Sequence, residues 1–179
     1  MSAVAERYAA ALADVALEHR SASAVRKDLA AFVDTFFASA DLRNALETPA
    51  LDQKLKDRII AEIAQKMKLN DAVRNFIMLI VRNRRTHLLR DILPVFYEEL
   101  NRRQNILEMV VTSARKLPDR DRTQLMEVFK NGRPGMKIEA TFGEDEALLG
   151  GVVVRAGSTV YDGSVRERLN RLRERLETE

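Results

Sequence analysis

The residues able to do chemistry are few in this 179-residue chain, and their spacing suits none of the common reactions. There is no cysteine, which excludes thiolate nucleophiles, thiolate metal sites and disulfides. His19 and His87 are the only histidines, so one chain cannot build a zinc site from several imidazoles. Either could anchor a nucleophilic triad only with partners the sequence does not identify. Glu98-Glu99 and Glu144-Asp145-Glu146 offer acid and base together, but adjacent residues on a helix or turn point different ways. They read as solvated surface. Gly150-Gly151 resembles part of a phosphate loop, which needs a strand-to-helix turn and a following Gly-Lys-Ser or Gly-Lys-Thr. Here a valine-rich segment follows and that tripeptide is absent, so the pair reads as a turn or a close backbone approach. No catalytic, cofactor-binding or metal-binding set emerges.

The basic cluster Arg82, Arg84, Arg85, His87 and Arg90 is the remaining chemical candidate. Arginines at a helix connection can sit on phosphates, with each contact adding to the salt dependence of binding. No aromatic residue interleaves the cluster as a base-stacking platform requires. A helical RNA-binding adaptor using Arg82 to Arg90 is therefore the alternative function, weakly supported by a net charge of only +3. Its rival is a protein-binding adaptor that uses exposed helix faces.

The elements that must carry such surfaces change character along the chain. All 7 glycines fall at or after Gly132, so a long glycine-free stretch precedes a turn-rich one. Val4, Tyr8, Ala11, Leu12 and Val15 follow the helical period, as do Val25, Leu29, Phe32, Val33 and Phe36. Ser21 or Ser23 opens the second helix. A short helix is expected from Asp41, as N-cap, to Glu47, before Pro49. Leu51, Leu55, Ile59 and Ile63 predict the buried stripe of a fourth helix. Asn70 caps a fifth, apolar on more than one face and hence central, and Leu88 to Leu100 form a sixth that contains Pro94. The alanines of the first helix would let a neighbouring helix approach closely, and alanine is equally a good helix former in its own right. The longest apolar run, Phe76 to Val81, is far short of the ~20 residues that cross a bilayer. Glu6 and Arg7 argue against a secretory signal.

After Asn105 the period changes, which predicts a mostly α chain: a six-helix bundle over 1–105 and a small α+β unit over 106–179. Strands are expected at Ile106–Thr112, Met136–Phe142, Val152–Arg155 and Thr159–Tyr161, with a helix opened by Pro118-Asp119. Gly132 is expected to close that helix in the left-handed conformation. Ser164 and Glu167 match a capping box, which starts a helix with the seam Val165, Leu169, Leu172 and Leu176.

Residues 144–176, EDEALLGGVVVRAGSTVYDGSVRERLNRLRERL, resemble the C-terminal signature of the delta subunit of F-type ATP synthases, the bacterial counterpart of the mitochondrial oligomycin-sensitivity protein. Arg7-Tyr8-Ala9 with Ala11 and Leu12 is similar to the family's first helix. Asn83-Arg84 with Leu88-Leu89 resembles the corner between its fifth and sixth helices, and Val110 to Leu117 its first strand and turn. The resemblance implies a non-catalytic stator subunit without cofactors, linking the alpha/beta head to the b-subunit stalk against rotor torque. It implies an alpha-subunit groove on the first and fifth helices, for which Tyr8, Ala11, Val15, Phe76 and Leu79 are the candidates. The b-subunit contact is expected on Val165, Leu169, Leu172 and Leu176. Localisation would be peripheral, on the cytoplasmic face of the bacterial cell membrane, and indirect through the complex.

Overall fold

A computed structural model describes residues 2–157 and 159–177, without the side chains of 171, 172 and 174–177. The chain forms two units, Met1–Leu100 and Asn101–Glu179. The first carries α1 (Ala3–Glu18), α2 (Ala22–Ala38), α3 (Ala40–Glu47), α4 (Gln53–Met67) and α5 (Asp71–Arg82), then a 3-10 turn at Thr86–Leu88 and α6 (Leu89–Arg103). The division falls at Leu100, ahead of the expected change of period at 105/106, because Leu100 is the last α6 side chain sealed in the helical core.

That core is built from the stripes the periodicity marks. Ala5, Ala9, Ala13 and Ala16 are fully buried on α1, where small side chains bring the neighbouring helices close. Phe32 and Phe36 of α2 stack with ring centroids 6.2 Å apart, in the core cluster that also holds Ile92 and Phe96 of α6. The central role expected of α5 is met, since it packs against α1, α2 and α4 and buries Val73, Phe76, Ile77, Ile80 and Val81. Two expectations are corrected. The cap of α3 is Ser39, whose hydroxyl accepts from the N–H of Leu42 at 3.2 Å, and Asp41 lies inside the first turn. On α4 the buried face is Lys56, Ile60 and Ala64; Ile59 and Ile63 flank it, and Leu55 is exposed. Lys56 enters the core because its stem is aliphatic and its ammonium donates to Leu46 O at 2.8 Å, at the C-terminal end of α3.

The glycine-free stretch turns without glycine by placing charged residues in the left-handed region. Arg20, Lys68 and Arg84 have φ of +51°, +53° and +56°. At each, the next N–H reaches back five residues: Ser21 to Ala16 O, Leu69 to Ala64 O and Arg85 to Ile80 O. These are helix-ending motifs in which glycine is the usual occupant.

The second unit holds β1 (Ile106–Ser113), α7 (Asp119–Gly132), β2 (Lys137–Glu144), β3 (Val152–Ala156), β4 (Thr159–Asp162) and α8 (Val165–Glu177). The sheet order is β2-β1-β3-β4, with β1 and β2 parallel across α7 and the other pairs antiparallel. Alternation sends Met109 and Val111 of β1 and Val154 and Ala156 of β3 to one face, where they pair in register and pack with Leu125, Met126 and Phe129 of α7. Gly132 is not the left-handed cap: α7 runs through it, and Gly135, at φ +88°, makes the turn after Pro134.

The start of α8 explains the two-glycine loop. Glu167 N–H donates to Ser164 Oγ at 3.2 Å, the first half of the capping box. Ser164 N–H is taken by Asp162 Oδ1 at 2.8 Å, so the turn aspartate occupies the place foreseen for Glu167. Val165 N–H donates to Gly150 O, and a Cβ on Gly151 would lie 2.4 Å from Gly163 O with its φ at +83°. Gly151→Ala is therefore expected to destabilise the protein by about 2 kcal/mol or more. Gly143→Ala, which meets nothing within 4 Å, should stay within about 0.5 kcal/mol. Denaturant midpoints of the two variants check both.

Candidate functional site

Two of the segments singled out in the sequence meet in space. Tyr8 on α1 stands edge-to-face against Phe76 on α5, ring centroids 6.2 Å apart. Its hydroxyl accepts hydrogen bonds from Asn83 Nδ2 at 3.0 Å and Arg85 Nη1 at 2.9 Å, and the Arg85 guanidinium lies 5.4 Å from its ring centre. The Arg-Tyr-Ala start and the Asn-Arg corner are thus two halves of one clamp that fixes α1 to the end of α5. Tyr8→Phe removes both acceptor contacts and is expected to cost about 1 kcal/mol by chemical denaturation, with the fold retained.

Around this clamp the α1/α5 face is apolar and partly open. Ala11 is exposed, and Val15 and Leu79 are 37% and 48% exposed. Among the described residues of the helical unit, the other large apolar side chain so exposed is Leu55. Tyr8 is half-buried. Phe76, at 7% exposure, belongs to the core and forms the floor beneath this face rather than part of its surface.

The basic cluster is largely engaged within its own unit. Arg82 pairs with Asp57 at 2.7 Å, Arg85 holds Tyr8, and Arg90 lies 4.3 Å over the Phe37 ring. The Arg82 hydrogen bond, opposed by burial and aided by Gln53, holds the Asp57 carboxyl below its ordinary range. A depressed folded value means that this contribution to stability is present above the ordinary carboxylate range and fades as pH falls through the folded value. A hollow of about 230 Å³ beside Arg84 and His87 is also lined by Glu47, whose carboxylate accepts from Thr86 Oγ1 at 2.9 Å. With Arg82, Arg85 and Arg90 engaged elsewhere and a carboxylate beside Arg84 and His87 in the hollow, the cluster makes a poor phosphate cradle.

On the second unit, Val165 and Leu169 of α8 are 42% and 55% exposed; Leu172 and Leu176 lie outside the described side chains. An apolar cleft of about 490 Å³ opens between α7 and the β3–β4 hairpin, lined by Leu125, Val128, Phe129, Val152, Val154 and Tyr161. The sequence did not single it out, because its lining comes from helical and strand periods with no shared local signal. Among the described residues no His, Asp or Glu group has metal-site spacing, and no helix is long and apolar enough to cross a membrane.

A helical unit and a small α+β unit, each with exposed apolar surface, define a protein whose surfaces suit it to join other proteins. The sequence pattern of the ATP synthase delta (OSCP) subunit family matches residues 4–176. ATP synthase subunit delta of Acidobacterium capsulatum is 42% identical over 177 residues, covering 98% of each chain. That of Koribacter versatilis is 34% identical over 177 residues, again 98% of each. A chain in the cryo-EM structure of the Toxoplasma gondii mitochondrial ATP synthase hexamer has a TM-score of 0.69 over 98% of both chains; at 20% identity that likeness is one of fold. The chain belongs to the ATP synthase delta (OSCP) subunit family. It is a peripheral-stalk component of the ATP synthase, structural rather than catalytic, and none of these likenesses supports the RNA-binding alternative.

Proposed function

We propose that the two units do different jobs at the upper joint of the peripheral stalk. The helical unit takes N-terminal helices of the alpha subunits against the α1/α5 face, and the second unit holds the end of the b-subunit coiled coil. The chain then meets the membrane only through the complex, on its cytoplasmic face. The observation that carries this reading is the pair of exposed apolar residues Val15 and Leu79 on the helices joined by the Tyr8 clamp, whose other large apolar side chains are buried or half-buried.

An amphipathic helix lying on that face would present anchors at i, i+3, i+4 and i+7. Three or four buried apolar side chains supply roughly 1.5 to 3 kcal/mol each before the cost of association, enough for a tight joint. For the b subunit the reading rests on Val165 and Leu169, which α8 leaves uncovered, with Leu172 and Leu176 continuing the same heptad-like spacing in sequence. Titrating the full chain with a peptide of the alpha N-terminus and, separately, with the extramembrane part of b tests the division. Saturable binding of both, without competition, is expected. Competition between the two ligands would contradict separate surfaces.

A further inference from the structure

Leu149 stands out because its backbone and its side chain are both in unfavourable places. Its φ is +57° and ψ −32°, and the flanking Gly150 N–H donates to Leu148 O at 2.6 Å. This is the three-residue turn with positive central φ, which is rare and strained, and a bulky side chain there is an outlier. Glycine would suit the turn better. The leucine gains no burial in return: at 74% exposure it is the most exposed large apolar residue among those described. Core packing therefore does not account for it.

The surroundings hold this turn firmly. Gly150 O accepts from Val165 N–H, and a Cβ built on Gly150 would touch Val165 Cγ2 at 3.0 Å. Gly151 lies directly against Gly163 and Ser164, the buried cap of α8. Leu149 directly precedes Gly150, which lies against Val165, so this exposed leucine sits in the loop at the start of α8, a helix whose Val165 and Leu169 are exposed as well. Between Val165 and Leu169 on the same helix, Arg166 and Arg168 are exposed and have no carboxylate partner among the described residues. Exposed apolar side chains interleaved with exposed guanidinium groups are complementary to an amphipathic helix that carries acidic residues beside its apolar stripe.

We propose that Leu149 is an anchor for the b-subunit helix, held in a strained turn so that its side chain is presented before the partner arrives. The inference rests on the reading that the second unit binds b. Leu149→Gly and Leu149→Ala test it in the full chain, with the extramembrane part of b as ligand and thermal unfolding as the second readout. Leu149→Gly relaxes the turn and should melt at or above the wild-type temperature, yet bind b at least roughly tenfold more weakly. Leu149→Ala keeps the strained backbone and should lose a similar amount of binding. Wild-type affinity in both variants would overturn the proposal while leaving the b-binding reading intact. A clear drop in the melting temperature of Leu149→Gly would also overturn it, by showing the leucine to be structural. Failure of the wild-type chain to bind b would remove both readings.

Discussion

Ala11→Asp is expected to abolish capture of an alpha N-terminal peptide, with a loss of at least about 100-fold and an unchanged helical circular-dichroism spectrum. Ala11 sits three residues after Tyr8 and four before Val15, so all three share one face of α1. It is exposed in the free chain, so an aspartate there stays solvated and costs only its helix propensity, well under about 1 kcal/mol. Once a helix docks, the same carboxylate is pressed against apolar surface and loses its water, a cost that a surface pair with the exposed Arg7 one turn back on α1 offsets by only a few tenths of a kcal/mol. Burying an unpaired charge costs several kcal/mol, and roughly 2.7 kcal/mol already corresponds to 100-fold. Retained binding of the peptide by Ala11→Asp would remove the α1/α5 face as the site.

Truncation before Ser164 should detach the chain from the b subunit while leaving alpha binding within about twofold of wild type. The cut removes Val165 and Leu169 and takes away the groups that hold the Gly150-Gly151 loop, namely Val165 N–H and the Ser164 backbone. Because the loop is disturbed as well, Leu169→Asp is the sharper companion: its side chain is more than half exposed and its substitution leaves those contacts in place. Both variants should fail to bind b, with Leu169→Asp reducing affinity by at least roughly tenfold. Loss of alpha binding with b binding preserved would reverse the assignment of the two units.

Helix positions were legible in the sequence wherever burial followed a simple period. Val25, Leu29, Phe32, Val33 and Phe36 mark α2 and are all buried, and the multi-faced apolar pattern of α5 correctly made it central. Caps were legible where a single side chain was available, as at Asn70, which accepts from Ala72 N–H at 2.9 Å. At α3 the expected cap was Asp41, and the structure has Ser39 there instead, two residues earlier, because its hydroxyl reaches the N–H of Leu42. The stripe on α4 slipped by one residue because Lys56 is polar by type but aliphatic along its stem, a difference periodicity does not register.

Partner surfaces were less legible, for a physical reason. The Tyr8 clamp joins residues 75 and 77 positions apart, and no local pattern announces such a contact. Phe76 and Leu79 look equivalent in sequence, both apolar on one helix, yet one is the floor of the core and the other remains nearly half exposed. Only the packing of α1 against α5 separates them. Leu149 stood in the sequence only as the neighbour of Gly150-Gly151, and its positive φ and its exposure appear only once the glycines are packed against the cap of α8.

The most direct measurement is recovery of the tagged full-length chain from detergent-solubilised membranes, with the co-purifying subunits identified. Alpha, beta and b are expected to appear together with it in one complex. Ala11→Asp should weaken attachment to the alpha/beta head, and Leu169→Asp attachment to b. Recovery of the chain without either the head or b, under conditions that keep the rest of the synthase assembled, would contradict its place as the joint between them.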